Sequence, residues 1–551
     1  MIARHSFVII IGQASSAVLG MLALFFVSKL WGGYAPGLVG IVWFGFSFVG
    51  TFSFISNLGF DAAHVKKISE GKDLGKCNGT YLAIKLMLSA IMVLSVVGCL
   101  LIWEHTLGGG YYDSTRLSVI YIFLGYYVLL SLAQIPIMTF NSLKKNAISQ
   151  TTMLMESLTR AVLFLVVALA GIAGAEVLTE SGLVVIDLPA RFDWPSILHP
   201  LQEFISTHVV GALAISYLFG GLAMFVTGFL FLRKYPVSRP DKQYMGMYMK
   251  FAVPLMVPVI FILITSFLDK VLLGYFWTAE DVGYYFSVQR ICTTIVMIPS
   301  AIGIVLFPTI SAIYAKGRAD RGRCNRMLCA LTRKCARFTS MVTIPIVAVF
   351  IVFSIPIIDI ALNSSFRPGA PSMQILSIYT YIATMYVPYY ILVLGTNRPI
   401  NVAKVFFASG ITNIAFNLLL IPRGGLLSGI GINGPMGAAT ATLISTAVIF
   451  AGLYYYSVRF TGRPLMEGRM LKHIAAGFIA GLAMFWLAGI LDTMHWYHVA
   501  VFSLAGLGIY LGVLWAWGEF RRKELDFFLE TMNPMLLLRY VKSEMSGKNE
   551  E

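Results

Sequence analysis

The chain has 551 residues, of which 58% are hydrophobic and only 12% charged, and it carries a net charge of +15. Soluble domains run nearer half apolar and a quarter charged, so no single water-facing core could absorb this much apolar surface. Composition therefore excludes soluble multidomain enzymes and binding modules, and it points to a polytopic helical membrane protein.

A membrane span needs about 20 predominantly apolar residues to cross roughly 30 Å of hydrocarbon. Runs of that kind predict helices over 6–28, 38–60, 81–103, 117–139, 151–173, 209–232, 250–273, 284–309, 338–359, 373–395, 401–421, 435–457, 474–491 and 498–517. The expected fold is thus all-α, with about fourteen spans. The first run follows Arg4, is too long for a secretory leader and lacks a small-residue cleavage site, so it reads as an uncleaved span. Pro254, Pro258, Pro299 and Pro345 fall inside predicted spans, where proline is tolerated.

Lys and Arg concentrate in alternate segments between the runs. The positive-inside rule then places both termini in the cytoplasm and favours an even number of spans. The longest basic loop follows span 8 and holds Lys316, Arg318, Arg321, Arg323, Arg326, Arg333, Lys334 and Arg337. Topogenic charge and contact with anionic lipid explain it without nucleic acid. The longest outside loop, about 174–208, contains Glu176, Glu180, Asp187, Asp193 and Glu203 and is too short for a catalytic domain. None of the six cysteines falls in an outside loop, so no extracellular disulfide framework is expected. Cys324, Cys329 and Cys335 lack the spacing of a zinc site, and no metal is expected. One outward-facing glycosylation acceptor is predicted, Asn363-Ser-Ser.

A weak internal repeat links the halves. Trp31-Gly-Gly-Tyr-Ala-Pro-Gly-Leu-Val-Gly40, between spans 1 and 2, corresponds to Gly274-Tyr-Phe-Trp-Thr-Ala-Glu-Asp-Val-Gly283, between spans 7 and 8. Internal repeats of this kind are common in transporters. The expected organisation is an N-lobe at 1–232 (spans 1–6) and a C-lobe at 233–457 (spans 7–12). Spans 13 and 14 at 458–517 and a cytoplasmic tail at 518–551 complete it.

Charge inside a span is expensive unless it meets a partner or a wet cavity, so each case is a functional candidate. The candidates are Lys85, Glu156, Arg160, Asp269, Lys270 and Arg290, with Asp61 at the inner end of span 2 as a gate or cap. Glu156 and Arg160 are spaced to share a helix face. They form a self-neutralised pair, or an Arg poised for substrate beside a carboxylate that releases it. Asp269 and Lys270 are adjacent and diverge by about 100°, which argues against an ideal mutual pair. Arg290 can clasp a phosphate with its planar fork, or snorkel, or pair with Asp269 or Asp281. Lys85, one turn into its span, can also snorkel. Tyr379, Tyr381, Tyr386, Tyr389 and Tyr390 in span 10 read as packing more readily than as a sugar platform.

Several motifs resemble the polysaccharide-transporter branch of the multidrug/oligosaccharidyl-lipid/polysaccharide flippases. They are Val27-Ser-Lys-Leu-Trp-Gly-Gly-Tyr34 with Asn57-Leu-Gly-Phe-Asp-Ala-Ala63 and Lys66-Lys67; Pro254-Leu255, Leu268-Asp-Lys-Val-Leu-Leu-Gly274, Asp281-Val-Gly-Tyr-Tyr285 and Phe307-Pro-Thr-Ile-Ser311; and Asn417-Leu-Leu-Leu-Ile-Pro422 with Gly434-Pro-Met-Gly-Ala-Ala439. The resemblance covers most of spans 1–12. It implies two six-helix lobes around a central cavity in the cell membrane, and alternating access. The implied substrate is an oligosaccharide linked to polyprenyl or dolichyl phosphate. Substrate-binding candidates are then Lys85, Arg160, Lys270 and Arg290. Coupling or gating candidates are Asp61, Glu156 and Asp269, with a proton or cation as coupling partner. No cofactor is implied. Walker A, G-x-S-x-G and H-E-x-x-H motifs are lacking, so a gradient rather than catalysis must drive movement. The rivals are a drug or cation antiporter of the same superfamily, a peptidoglycan-precursor flippase and a membrane-embedded glycosyltransferase or polymerase.

Overall fold

The computed structural model describes residues 2–106, 114–179, 182–190, 194–296, 306–307, 309–311, 313–315, 320–491 and 494–519. Six long helices or helix pairs build the first lobe: α1 (Ile2–Trp31), α2 (Ala35–Phe52) with its short continuations α3 (Phe54–Asn57) and α4 (Phe60–Ser69), α5 (Leu74–Thr106), α6 (Ser114–Ser142), α7 (Asn146–Ala170) and, after the surface helix α8 (His199–Thr207), α9 (Val209–Leu232). The second lobe holds α10 (Lys242–Phe276), α11 (Ala279–Thr293), α12 (Arg321–Val352) with the short α13 (Ser354–Ala361), α14 (Ala370–Gly395), α15 (Pro399–Leu420) and α16 (Gly434–Thr461). Two further helices, α17 (Arg469–Ala488) and α18 (Trp496–Ala516), are appended.

The helix starts follow local chemistry. Thr278 and Asp281 form a reciprocal capping box at α11, and Asp241 and Asp320 cap α10 and α12 through their carboxylates. Proline occupies the first turn of α2, α14, α15 and α16, where its missing N–H costs nothing.

Among the described residues, twelve stretches are long and apolar enough to cross a membrane, and the first, Gly12–Phe52, contains two helices. Large apolar side chains such as Leu94, Phe478 and Trp515 are exposed. In water such a surface would aggregate; in a bilayer it is the lipid-facing face. Each expected span has a helix, and α9 coincides with 209–232. Span 8 begins as α11 and a short 3₁₀ turn, Thr294–Val296; Pro299 and much of the remainder lie outside the described residues.

Three expectations need correction. The basic loop after span 8 is helical from Arg321 onward, because α12 extends well past its apolar section; Lys316 and Arg318 lie outside the described residues. The end of span 5 gives way to strands β1 (Ile172–Thr179) and β2 (Gly182–Leu188), paired antiparallel from Ile172↔Leu188 to Thr179↔Gly182, so the fold carries one small hairpin. Finally, span 2 is broken. Asn57 Oδ1 accepts the Gly59 N–H at 3.2 Å, and Leu58 and Gly59 both take positive φ (41° and 81°), a conformation glycine adopts freely.

Within the first lobe α1 packs on α7, and α9 on α6 and α7; within the second, α14 packs on α12 and α16, and α15 on α16. The lobes meet chiefly through α2 against α10 and α11. Without water to drive helices together, close packing depends on small residues. Gly40 and Gly283, equivalent positions in the internal repeat, face each other's helices at the end of the bundle opposite the N-terminus, here termed distal. The hairpin covers this crossing, with β1 touching both α2 and α11. Asn363 ties the distal end of α1 to the turn before α14, donating to Gly32 O at 3.0 Å and to Ser28 O.

Candidate substrate cavity

Below the distal crossing lies a cavity of about 220 Å³, lined from both lobes. The first lobe contributes Gly20 and Leu24 (α1), Trp43 and Phe46 (α2), Tyr126 (α6), Glu156, Arg160 and Phe164 (α7) and Tyr217 (α9); α11 of the second contributes Phe286 and Arg290. Its walls are aromatic. Trp43 stacks on Phe286 with centroids 3.8 Å apart, and Tyr217 meets Trp43 edge-on at 5.7 Å. The indole N–H of Trp43 is buried without a hydrogen-bond partner among the described residues.

The polar chemistry is concentrated in three side chains. Arg160 Nε donates to Glu156 Oε1 at 2.8 Å, as the four-residue spacing requires. Glu156 also accepts from Ser157 Oγ at 3.0 Å and Tyr126 OH at 3.4 Å, so its oxygens are well supplied. The Arg160 guanidinium lies 4.8 Å from the centre of the Tyr217 ring, a cation–π geometry. Arg290 differs: among the described residues its guanidinium makes no hydrogen bond and no ion pair, and it pairs with neither Asp269 nor Asp281. Both guanidinium groups approach Gly20, coming within 2.9 Å (Arg290) and 4.0 Å (Arg160) of where a Cβ there would sit. Glycine at 20 therefore leaves the room Arg290 occupies. Two arginines against one carboxylate give the cavity a net single positive charge, with its spare donors concentrated on Arg290.

The structure thus brings Glu156, Arg160 and Arg290 together and places the other candidates elsewhere. Asp269 and Lys270 are almost fully buried in α10. Contrary to the helical-angle expectation, they do pair: the long lysine stem folds back to set Nζ 2.9 Å from Asp269 Oδ1, and it also donates to Ser266 O at 2.7 Å. Asp269 accepts from Tyr285 OH at 2.8 Å. The pair borders the cavity through Phe286, whose ring centre lies 5.9 Å from Lys270 Nζ. Asp61 and Lys85 form a separate pair, 2.7 Å apart, at the break in span 2. In span 10, Tyr389 packs on Phe450 and Tyr454, and Tyr381 meets Ser340 Oγ at 3.2 Å, so these tyrosines are packing residues. Gly20, Trp43, Tyr126 and Tyr217 escaped the sequence reading. A polar aromatic inside an otherwise apolar run was the one available signal.

A two-lobed helical bundle with a cationic, aromatic-walled cavity between its halves defines a membrane transporter of the flippase type. The chain belongs to the polysaccharide biosynthesis protein family, within the polysaccharide-transporter branch of the multidrug/oligosaccharidyl-lipid/polysaccharide flippase superfamily: two family models of that description match residues 2–186 and 205–371, together well over half of the sequence. It is similar to the uncharacterized membrane protein MJ1068 of Methanocaldococcus jannaschii, 23% identical over 250 residues covering 45% of this chain and 46% of that protein. The match spans about half the length of this curated relative. Among solved structures, the lipid II flippase MurJ in an inward closed conformation superposes with a TM-score of 0.67 at 13% identity, covering 91% of this chain and 97% of that one. An inward-facing multidrug resistance MATE family transporter gives 0.60 at 12% identity, covering 81% and 95%. At these identities the likeness is one of fold.

Proposed function

We propose that the protein is a flippase for lipid-linked oligosaccharides, holding the phosphate of the polyprenyl or dolichyl carrier at Arg290 and Arg160. The single observation that carries this reading is the Arg290 guanidinium, without a hydrogen bond or ion pair among the described residues, in a cavity already supplied with a neutralised Glu156–Arg160 pair. Arg290 is half-buried, and an anion placed about 4 Å from its guanidinium gains about 4 kcal/mol at an effective dielectric of 20. The planar fork suits bidentate phosphate recognition, and aromatic walls suit sugar faces and prenyl chain. A cavity with net positive charge does not suit a cationic drug, which disfavours the antiporter reading.

In this account both termini are cytoplasmic and the distal end faces outward. Residues 1–232 and 233–457 are the rocking lobes, and the α2–α11 crossing is the outer gate. Glu156 is the group read as coupling transport to a proton or cation, since when ionised it competes with substrate for Arg160; Asp269, paired with Lys270 outside the cavity, would act only through the Phe286 wall. Substrate release needs such a difference between states, because a fixed cation binding equally on both sides shifts nothing.

The test is reconstitution. Proteoliposomes containing a fluorescent polyprenyl-diphosphate-linked glycan should lose signal to a membrane-impermeant quencher faster than protein-free vesicles containing the same lipid. A glycosylated lipid of the same chain lacking phosphate should not respond. Equal movement of both lipids would rule out recognition through phosphate.

A further inference from the structure

The break in span 2 holds a second buried charge site. A continuous helix consumes its carbonyls in the ladder, whereas a break frees them, and in broken-helix transporters such carbonyls coordinate coupling cations. Here the freed carbonyl is Ser56 O, just before Leu58 and Gly59 turn the chain through positive φ. Two residues after the break, at the start of α4, stands Asp61. A carboxylate and a main-chain carbonyl therefore converge on one point. The point is occupied by Lys85 Nζ, reaching in from α5, 2.7 Å from Asp61 Oδ1 and 3.0 Å from Ser56 O. Tyr81 OH donates to the same Asp61 oxygen at 2.6 Å, and Lys85 is 1% exposed. This is no snorkelling lysine: its head is sealed in, not reaching for water.

We infer that Lys85 is a tethered substitute for a free monovalent cation at Asp61. Asp61 and the broken backbone compose the donor set of a cation site, and the protein fills it with its own ammonium. The charge fastens the break to α5, at the end of α2 opposite the one that carries Gly40 to the distal crossing. A free ion could leave and rebind there during transport; a tethered ammonium cannot. This niche therefore needs no sodium or potassium in the native protein. The niche is separate from the Arg290 cavity and does not depend on what that cavity binds.

Removing the lysine head should turn the niche into a site for a diffusible cation. Thermal midpoints of purified wild-type protein and K85A are compared in sodium, potassium, methylammonium and N-methylglucamine chlorides at equal ionic strength, together with radioactive sodium binding. Wild type should be indifferent to the cation. K85A should be destabilised in N-methylglucamine and recover in methylammonium or sodium, and K85A/D61N should lose that recovery. A folded K85A that ignores all four cations overturns the inference. So does sodium binding by wild-type protein that disappears in D61N, a measurement that stands even where K85A does not fold.

Discussion

Gly40 and Gly283 each turn a bare helix face toward a main-chain carbonyl of the other's helix. A Cβ at Gly40 would lie 1.7 Å from Ala279 O, and one at Gly283 would lie 2.1 Å from Pro36 O. Pro36 stands four residues before Gly40 and Ala279 four before Gly283, so the contact is reciprocal and reproduces the internal repeat as a pseudo-twofold crossing. A carbonyl cannot swing aside as a side chain can. Gly40→Ala should therefore force α2 and α11 apart, costing the closed state about 1–3 kcal/mol, as overpacking does. The check is maleimide labelling of a cysteine placed at buried Val39, which should quicken several-fold in the G40A background. Unchanged labelling would mean that the crossing tolerates a methyl group and does not seal the distal face.

Glu156→Gln removes the anion beside Arg160 and leaves two guanidiniums around Gly20 with no carboxylate partner among the described residues. Breaking one side of a buried pair typically costs about 3–5 kcal/mol. The thermal midpoint of E156Q should fall, and inorganic pyrophosphate should restore it by more than it raises wild type. Equal pyrophosphate responses would place the anion site elsewhere.

The fold was largely legible in the sequence, because a bilayer demands apolar runs of fixed length and little else imitates them. The failures have physical causes. Arg321 to Arg337 read as a loop because charge masked helical continuity beyond the membrane. The break at Ser53–Gly59 is hidden in an otherwise apolar run, and Asn57-Leu-Gly59 is its one local sign. The Cβ directions of Asp269 and Lys270 diverge, and only the reach of lysine's four-carbon stem closes the pair. The Glu156–Arg160 pair followed from spacing alone. Its meeting with Arg290, 130 residues away, and with the Trp43 and Tyr217 walls, depends on how two lobes cross, which no local pattern encodes.

Asn363 offers its amide to Gly32 O and Ser28 O and accepts the Ser365 N–H at 2.8 Å. The sequon asparagine is thus a clamp between α1 and the turn before α14. It should stay unglycosylated even in a host that modifies outward-facing sequons, so endoglycosidase should leave the protein's mobility unchanged. Asn363→Asp sets a carboxylate against two carbonyls at this half-buried position and should lower the thermal midpoint. A glycan at Asn363 would contradict the clamp.

His64, in α4 outside the spans, is buried between Tyr248 OH at 2.7 Å and Thr139 Oγ1 at 2.9 Å, and it stacks on Tyr81. Burial first, and the Lys85 charge second, hold its pKa down to about 3 from 6.5. The unfolded chain takes up a proton below pH 6.5 that the folded protein refuses. The stability linked to His64 is therefore complete above 6.5 and is lost as pH falls toward 3. Thermal midpoints followed from pH 7 to pH 4 should drop less steeply in His64→Gln than in wild type. Parallel curves would show that other groups govern acid sensitivity.

Arg290 decides the central claim. Initial flipping rates of the diphosphate-linked glycan should be measured in proteoliposomes for wild type, Arg290→Ala and Arg290→Lys at matched amounts of folded protein. If Arg290 holds the phosphate, the alanine variant should lose flipping by one to two orders of magnitude, in keeping with about 1.5–3 kcal/mol for a charged hydrogen bond. The lysine variant should recover only part of it, because an ammonium keeps the charge without the fork. Normal flipping by folded Arg290→Ala would contradict the account.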